Sequence, residues 1–501
     1  MTELLDQLAL GFGVALSLKN LAYCFTGVLL GTLIGVLPGL GPLATIAMLL
    51  PVTYALPPES ALIMLAGIYY GAQYGGSTTA ILVNLPGEAS SVVTCLDGHA
   101  MARQGRAGPA LAIAAIGSFI AGSIATLMLA SLAPPLASIA FSFGPADYFS
   151  LMTLGLLAAV VLARGSLLKA VAMVVLGLLL GMVGSDVSTG FFRFTLSIPA
   201  LGDGIDFVVV AMGLFGFAEV IANLERRQGI TAMTIAAVGR LLPTAADWRA
   251  AAGAVLRGTG IGALLGLLPG GGATLGSFAA YSVEKKLSRE PSRFGHGAIE
   301  GVAAPESANN AGSQTSFIPM LTLGLPSNAV MALMIGAMTI HGITPGPQVM
   351  TERPELFWGM VASMWVGNLF LVVLNLPLIG IWVRLLSVPY RFLYPAILLF
   401  CCIGVYSVEN SSVDVLLALG FGVLGYLFIK CDCEPAPLLL GFVLGPMMEE
   451  NLRRALVLSK GDPAVFVNQP ISATLLAMTV VLLLIVVFPS MRKVREQAFR
   501  E

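Results

Sequence analysis

Residues 35–41 read GVLPGLG, and residues 266–272 read GLLPGGG. Each motif interrupts a long apolar stretch, residues 16–56 in the first case and 251–283 in the second. Proline and neighbouring glycines break helices, so each stretch is predicted to form two helical arms joined by an irregular tip. The shared Gly, Leu and Pro positions predict that the two stretches are copies of one structural unit.

A second pair of motifs follows the first pair in the same order. Residues 76–79 (GSTT) precede LPGEA at 85–89, and residues 312–315 (GSQT) precede LPSNA at 325–329. Two matched pairs at nearly equal spacing indicate a duplication. The sequence therefore predicts two repeats joined by a linker, over residues 1–224, 225–250 and 251–501.

The composition is that of a membrane protein. Of the 501 residues, 57% are hydrophobic and 11% are charged, whereas soluble domains carry roughly 25% charged residues. The net charge of -1 offers no basic surface to nucleic acid. We predict an all-α polytopic membrane protein with about 10–12 membrane segments. Uninterrupted spans are expected at residues 110–132, 148–163, 167–184, 207–223, 356–378, 393–408, 413–429 and 471–488, with a shorter apolar run at 437–448.

Basic residues in the loops predict how the repeats are oriented, because such residues favour the cytoplasmic side. Arg103 and Arg106 follow the second motif of the first repeat, whereas the equivalent loop of the second repeat, residues 341–355, carries one Arg and two Glu. Residues 54–60, after the first motif, have no basic residue. Their counterpart carries Lys285, Lys286, Arg289 and Arg293. The two repeats are therefore predicted to be inverted relative to each other.

Each Pro-Gly motif is predicted to be the tip of a re-entrant helical hairpin. Basic residues stand on both sides of the second tip, and about ten residues on each side of it are too few to cross the bilayer twice. The first hairpin would then enter from the opposite side, with the N-terminus outside and the C-terminal tail inside. Lys19 argues against this placement of the N-terminus, and three residues fall on the unexpected outer side: Arg453, Arg454 and Lys460.

Polar side chains cluster at the two tips and the two breaks. Irregular backbone in a membrane is tolerated where it lines a cavity or binds a ligand. Helix N-termini favour a carboxylate there, and freed carbonyls and hydroxyls favour a hard cation such as sodium. The cluster predicts a substrate and ion site, although each residue alone is also typical of close helix packing. Its members are Ser77, Thr78, Thr79, Asn84, Ser90, Thr274, Ser277, Ser307, Asn309, Asn310, Ser313, Thr315 and Asn328.

Two carboxylates, Glu88 and Glu306, lie in apolar surroundings and are functional candidates for that reason. Each could instead stabilise a hairpin or cap a helix, and Glu88 follows Pro86-Gly87, where an acid favours a helix N-terminus. Asp97 and His99 are expected near a loop. The sequence has no histidine cluster, no nucleophile–base signature and no Walker motif, so we expect no catalytic residue, no cofactor and no enzymatic activity.

Several stretches are similar to one known family, in family order from about residue 31 to residue 460: GVLPGLGPLATIAMLLPVTYALPP, IYYGAQYGGSTTAILVNLPGEASSV, LDGHAMARQGRAGPALAIAAIGSF, GLLPGGGA, APESANNAG, LTLGLPSNAV, IHGITPGP and LGPMMEENLRRALVLS. They resemble the large membrane subunit of tripartite tricarboxylate transporters. The resemblance implies a bacterial inner-membrane carrier for carboxylates, driven by an ion gradient that is usually sodium. It also implies two partners, a small membrane subunit and a periplasmic solute-binding protein.

The residues and the resemblance together predict specific roles. Substrate contacts are expected at Gly39, Gly41, Ser77, Thr78, Thr79, Asn84, Gly87, Gly270, Gly271, Thr274, Asn310, Ser313, Ser327 and Asn328. Ion contacts are expected at Pro38, Gly76, Pro269, Glu306, Asn309 and Thr315. Structural or gating roles are expected for Pro86, Glu88 and Pro326. Ser327 departs from the family pattern, which leads us to expect Gly, so the second break is expected to be stiffer than the first.

The sequence thus predicts a subunit that alternates access to one carboxylate site near the membrane midplane. Two alternatives stay open at this point. The first is a channel or carrier for small organic anions that works without a binding protein. The second is a membrane-embedded enzyme that uses Glu88 or Glu306 as an acid or base.

Overall fold

The computed structural model describes residues 2–37, 40–163, 166–186, 189–227, 238–268, 272–386 and 390–487. In the first half of the chain the helices are α1 Thr2–Ala15, α2 Leu18–Gly35, α3 Pro42–Thr53, α4 Pro58–Val83, α5 Val92–Thr94, α6 Ala107–Ala140, α7 Pro145–Leu162, α8 Leu167–Gly181, α9 Phe207–Ala211 and α10 Ala218–Arg227. One antiparallel pair of short strands, β1 Gly184–Ser185 and β2 Phe192–Arg193, follows α8. Short π-helical segments cover Cys95–His99, Ala102–Arg106 and Met212–Phe217, and a 3₁₀ turn covers Pro199–Leu201.

The second half is built from further helices of similar lengths. They are α11 Ala245–Gly266, α12 Gly272–Leu287, α13 Glu300–Thr315, α14 Phe317–Leu323, α15 Ala329–Ile340, α16 Gln348–Glu352, α17 Pro354–Asn375, α18 Ile379–Leu386, α19 Tyr390–Glu409, α20 Ser412–Lys430, α21 Ala436–Leu458, α22 Val465–Asn468 and α23 Pro470–Val487, with a 3₁₀ turn at Pro291–Arg293. Thr244 and Asp247 form a capping box at the start of α11, which therefore begins within the predicted linker.

Within the described residues, five helical stretches are long and apolar enough to cross a bilayer: Leu18–Gly35, Val92–Ala140, Phe207–Glu225, Pro354–Asn375 and Ser412–Lys430. The predicted all-α polytopic membrane architecture is confirmed, while the number of segments that cross stays a prediction. Peripheral helices expose large apolar side chains, as α20 does at Leu416 and Val423. Such side chains suit contact with lipid tails.

α4 and α13 lie at the centre of the molecule, and their composition fits that position. Residues 60–82 of α4 and residues 301–315 of α13 are buried. α13 reads EGVAAPESANNAGSQT, which is too polar for a helix that faces lipid. Its amides and hydroxyls are instead shielded by neighbouring helices, where they find hydrogen-bond partners.

Glycines bring one helix of each half into close contact with the central helix of the same half. Three glycines of α2 lie against α4 in the pairs Gly27–Met64, Gly31–Ile68 and Gly35–Ala72. Three glycines of α11 lie against α13 in the pairs Gly258–Ala304, Gly262–Ala308 and Gly266–Gly312. A Cβ atom on any of these glycines would overlap the neighbouring backbone, so the close packing depends on its absence.

These contacts correct the register in which the sequence motifs were compared. The motif match placed Gly76 opposite Gly312, whereas the glycine contacts make Ala72 the counterpart of Gly312 and Ser316 the counterpart of Gly76. The corrected register differs by one helical turn. In the corrected register, Leu85-Pro86 and Leu325-Pro326 are also equivalent, with the same sequence offset as the helices before them. The motif match was wrong because small residues recur at every turn of both helices, so similarity alone did not define the register.

The two central helices cross in opposite directions. Gln73 of α4 and Ser313 of α13 are counterparts in the corrected register, and their side chains are 2.8 Å apart. One turn further along α4, Ser77 bonds to Glu306, which precedes Ser313 in α13. A two-fold axis in the membrane plane produces such a crossing of equivalent helices. The crossing supports the inverted repeat, whose orientation in the bilayer stays a prediction.

Helical structure is interrupted at equivalent points of the two halves. Asn84 ends α4 in the left-handed conformation (φ 56°), and its counterpart Gly324 ends α14 in the same conformation (φ 70°). The next helices begin at Val92 and Ala329. The predicted hairpin tips are only partly covered, because Pro38, Gly39, Pro269, Gly270 and Gly271 lie outside the described residues.

Two helices extend beyond the apolar runs that predicted them. α6 covers Ala107–Ala140 instead of residues 110–132, and α21 covers Ala436–Leu458 instead of the short run 437–448. α21 continues because its charges are paired: Arg453 lies 2.6 Å from Glu449 and 2.7 Å from Asp186, which follows β1. Pairing with two carboxylates would weaken the orienting effect of Arg453, which the predicted topology places on the outer side.

Candidate functional site

The candidate site lies where the first break meets the crossing of α4 and α13. α4 contributes Gln73 and Ser77, and α13 contributes Glu306, Asn309 and Ser313. Gln73 bonds to Ser313, Ser77 bonds to Glu306, and Asn309 bonds to Glu88 at the break. Each of these side-chain hydrogen bonds joins residues more than 200 positions apart in the sequence. The polar residues predicted around the first break and in the APESANNAG stretch are therefore brought together.

Glu306 is the most buried charged group of the site, with 1% of its surface exposed. Ser77 donates a hydrogen bond to its Oε2 atom at 2.6 Å, and Thr94 of α5 donates to Oε1 at 2.5 Å. No Lys, Arg or His of the described residues forms an ion pair with it. Burying a carboxylate without a basic partner costs a large free energy unless a proton or a cation neutralises the charge.

Glu88 stands at the first break and is partly buried. Its carboxylate accepts a hydrogen bond from Nδ2 of Asn309 at 2.9 Å and is within reach of the Gln73 amide. The alternative that Glu88 caps a following helix is not supported, since the described residues give its carboxylate no backbone N–H and α5 begins after Ser91. Glu88 instead links the first break to the central helix of the other half.

The second break is stabilised through Ser316, a residue that the sequence did not single out. Ser327 donates to the Ser316 carbonyl at 3.1 Å, and Asn328 donates from Nδ2 to the Ser316 hydroxyl at 3.2 Å. Asn328 also caps α15, because its Oδ1 atom accepts the Met331 N–H at 3.0 Å. Both predicted residues are thus occupied in holding the break together.

Other predicted residues form hydrogen bonds within their own helix or to a helix packed against it. Thr78 donates to the Tyr74 carbonyl, and Thr79 donates to the Gly76 carbonyl. Thr315 bonds to Ala263 at 2.9 Å and so ties α13 to α11. Such contacts match the helix-packing interpretation of these residues, and none of them excludes a second role for the hydroxyl oxygen.

Three further predicted residues, Asn310, Gly41 and Thr274, lie in different surroundings. Asn310 donates from Nδ2 to the Ser118 hydroxyl of α6 at 2.7 Å. Gly41 precedes α3 and lies against the Gly87 carbonyl, so the end of the first tip touches the first break. Thr274, in the first turn of α12, is half-buried and has no side-chain hydrogen bond within the described residues.

Asp97 has a structural role that the sequence did not predict. It is fully buried, and its Oδ1 atom accepts three backbone N–H groups, from Gly295 at 2.9 Å and from Gly297 and Ala298 at 2.8 Å. Its Oδ2 atom accepts the Tyr281 hydroxyl at 2.9 Å. Gly295 and Gly297 have positive φ values, so this loop suits glycine. These hydrogen bonds to Asp97 therefore hold the segment before α13 against the first half of the chain.

Two cavities differ sharply in size and surroundings. A cavity of about 20 Å³ lies beside Glu306, where α4, α6, α13 and α17 meet. That volume holds about one water-sized particle. A larger cavity of about 760 Å³ lies between α8, α15 and α21, away from the break residues. The small cavity is the one that shares residues with the candidate site.

Comparisons with known proteins identify one matching family model and similar proteins that are described as uncharacterized. The family model for the tripartite tricarboxylate transporter TctA family matches residues 21–440. An Agrobacterium vitis protein described as an uncharacterized 52.8 kDa protein in the TAR-I ttuC' 3' region is 58% identical over the full length of both chains. A second A. vitis protein, described as uncharacterized and in the TAR-II ttuC' 3' region, is 61% identical over 48% of this chain and 99% of its own length. No solved structure matches the chain.

Proposed function

Because the chain belongs to the tripartite tricarboxylate transporter TctA family, the large membrane subunit of these systems, we propose that it imports di- or tricarboxylates together with a cation that moves down its gradient, which we take to be sodium. The transport is secondary, and the substrate is delivered by a periplasmic solute-binding protein. A small membrane subunit completes the complex in the bacterial inner membrane.

The ion-coupled part of this proposal is carried by Glu306, which is buried and forms no ion pair with a Lys, Arg or His of the described residues. The hydroxyls of Ser77 and Thr94 donate hydrogen bonds to the two carboxylate oxygens of Glu306, and such bonds favour the ionised form. In a membrane interior, a negative charge without a basic side chain nearby is stabilised by a bound cation. A transporter that moves a cation together with its substrate supplies that counter-cation in each cycle.

The two breaks supply groups for the substrate. Serine and threonine hydroxyls, Asn310 and the glycines near the tips are proposed to contact the carboxylates. The start of α15, which Asn328 caps, adds a positive helix dipole near the second break. Anionic groups are favoured at such a position. In this proposal Gly76, Asn309 and Thr315 act with Glu306 on the ion side.

The paired central helices are proposed to move as one body between outward- and inward-facing states. Close glycine contacts connect α2 with α4 and α11 with α13, and the Gln73–Ser313 and Ser77–Glu306 hydrogen bonds connect α4 with α13. These contacts favour movement of the four helices together. The N-terminus is proposed to be periplasmic and the C-terminus cytoplasmic. Reciprocal labelling of single cysteines placed in the loops after α3 and α12 would test this orientation.

The central experiment is uptake of labelled di- and tricarboxylates into proteoliposomes that contain this chain, the small subunit and the binding protein. Uptake that needs both an inward sodium gradient and the binding protein is the expected result. Uptake by this chain alone, unaffected by either addition, would overturn the tripartite mechanism in favour of a stand-alone carrier or channel.

A further inference from the structure

We propose that the small cavity beside Glu306 is a binding site for one monovalent cation of about sodium size, and that Asn375 of α17 supplies one of its ligands. This inference rests on the proposed function and adds to it a place for the coupling ion. Asn375 was not among the residues that the sequence predicted, because α17 lies outside the hairpins and the breaks.

The residues around the cavity offer oxygen ligands. Glu306, Ser77, Thr78, Ser118 and Asn375 all line it, together with Tyr74 and apolar side chains. The described lining contains carboxylate, hydroxyl and amide oxygens but no Lys, Arg, His or Cys. Hard cations such as sodium prefer this set of donors, and the volume of about 20 Å³ suits a single small ion.

Asn375 is an independent indication of a ligand. Its side chain is buried, with 4% of its surface exposed, and its Nδ2 atom donates to the Leu371 carbonyl at 2.9 Å. Its Oδ1 atom has no hydrogen-bond partner among the described residues. A buried carbonyl oxygen without a partner destabilises the folded state. A cation in the adjoining cavity would satisfy this oxygen and the charge of Glu306 together.

The counterpart region of the other half cannot form such a site. In the corrected register Ser77, Thr78 and Glu306 correspond to Phe317, Ile318 and Ala66. The Phe317 ring packs against the rings of Tyr69 and Tyr70, at centroid distances of 6.2 and 6.1 Å. The pseudo-symmetric position is therefore filled with apolar groups, and we expect one cation of this kind per chain.

The test measures sodium binding apart from transport. The purified full-length chain in lipid nanodiscs is unfolded thermally at increasing NaCl, with choline chloride keeping the ionic strength constant. We expect the unfolding temperature of the wild type to rise with sodium and to saturate, and Glu306→Gln to abolish the response. Asn375→Ala is expected to raise the half-saturating sodium concentration at least roughly tenfold.

Asn368→Ala is the matched control. Asn368 is a buried asparagine on the same helix, about two turns before Asn375, and its Oδ1 atom is 3.4 Å from the Gln314 amide rather than at the cavity. It should keep the half-saturating concentration within about twofold of wild type, even if the protein is less stable. An Asn375→Ala variant that responds to sodium as wild type does would overturn the assignment of Asn375.

A second cavity variant keeps the proposal testable if Asn375→Ala does not fold. Thr78→Val conserves shape and removes one oxygen from the cavity wall, so it should weaken sodium binding severalfold. An unchanged response would also count against the site. If the wild type shows no sodium response while carboxylate uptake persists, the cation site is refuted and the proposed import of carboxylates stands. A sodium response without any carboxylate uptake would support the cation site and refute the proposed import of carboxylates.

Discussion

The two helix breaks are counterparts in the fold, but they are closed by different chemistry. At the first break Gly87 lies directly against Gly76, where a Cβ atom on Gly87 would overlap the Gly76 backbone. At the second break the equivalent positions are Ser327 and Ser316, joined by a hydrogen bond of 3.1 Å. One junction depends on the absence of side chains and the other on a hydroxyl. Equivalent positions are therefore in contact at both breaks, but different interactions hold them together.

The charge at the two breaks differs as well. Glu88 stands at the first break, and its counterpart Asn328 is a neutral helix cap. Ser77, which bonds to Glu306, corresponds to Phe317 in an aromatic cluster. Negative charge is thus concentrated on one side of the pseudo-two-fold axis. This asymmetry agrees with our proposal that the cation is bound near the first break and the anionic substrate is favoured near the second.

The largest effect is expected from removing the carboxylate of Glu306, which lies near the first break and has no counterpart near the second. Glu306→Gln should reduce cation-driven uptake at least roughly 100-fold, because a neutral amide no longer calls for a counter-cation. Initial rates in proteoliposomes measure this. Glu300→Gln, on the same helix but beyond the cavity, is the control and should stay within about twofold. Equal losses in both variants would show that the effect is not specific to Glu306.

Exchanging the junction residues should reveal how differently the two breaks are held. Gly87→Ser is expected to destabilise the protein by about 1–3 kcal/mol, because the new side chain overlaps Gly76. Ser327→Gly should cost only about 1 kcal/mol, the net value of one hydrogen bond. Thermal unfolding of both variants in the same nanodiscs gives the comparison. The prediction fails if Ser327→Gly is the more harmful change.

Glu88→Asn gives the first break the residue that stands at the second. We expect uptake to fall roughly tenfold, since Asn309 loses its carboxylate partner while the backbone at the break is unchanged. Uptake rates and the unfolding temperature should be measured together. A fall in stability as large as the fall in uptake would point to a structural role of Glu88 instead.

The smallest effect is expected at the residues that end α4 and α14. Asn84→Gly copies the residue found at Gly324 and should change stability by less than about 0.5 kcal/mol, because both residues adopt the left-handed conformation. Asn84→Val should cost about 1–2 kcal/mol, since a β-branched residue resists that conformation. Unfolding temperatures that do not separate these two variants would contradict the equivalence of the breaks.

Much of the fold was predictable from local properties of the sequence. The apolar excess predicted a polytopic helical membrane protein, and the motifs at Pro86 and Pro326 marked where the central helices are interrupted. The site was predicted less completely. Gln73, Thr94 and Ser316 were missed, because a single amide or hydroxyl inside an apolar stretch has no signal of its own until its partner is known.

By itself, the sequence determined the membrane environment and the positions of the breaks, because hydropathy and backbone-breaking residues act over a few neighbouring residues. The duplication stays a prediction from the matched motifs. Only the tertiary structure decided that Ser77 meets Glu306, that Asp97 latches the loop before α13 and that Asn375 lines the same cavity as Glu306. Those contacts depend on how helices cross and in which register. A shift of one turn leaves hydropathy almost unchanged but replaces every side-chain partner along a helix face.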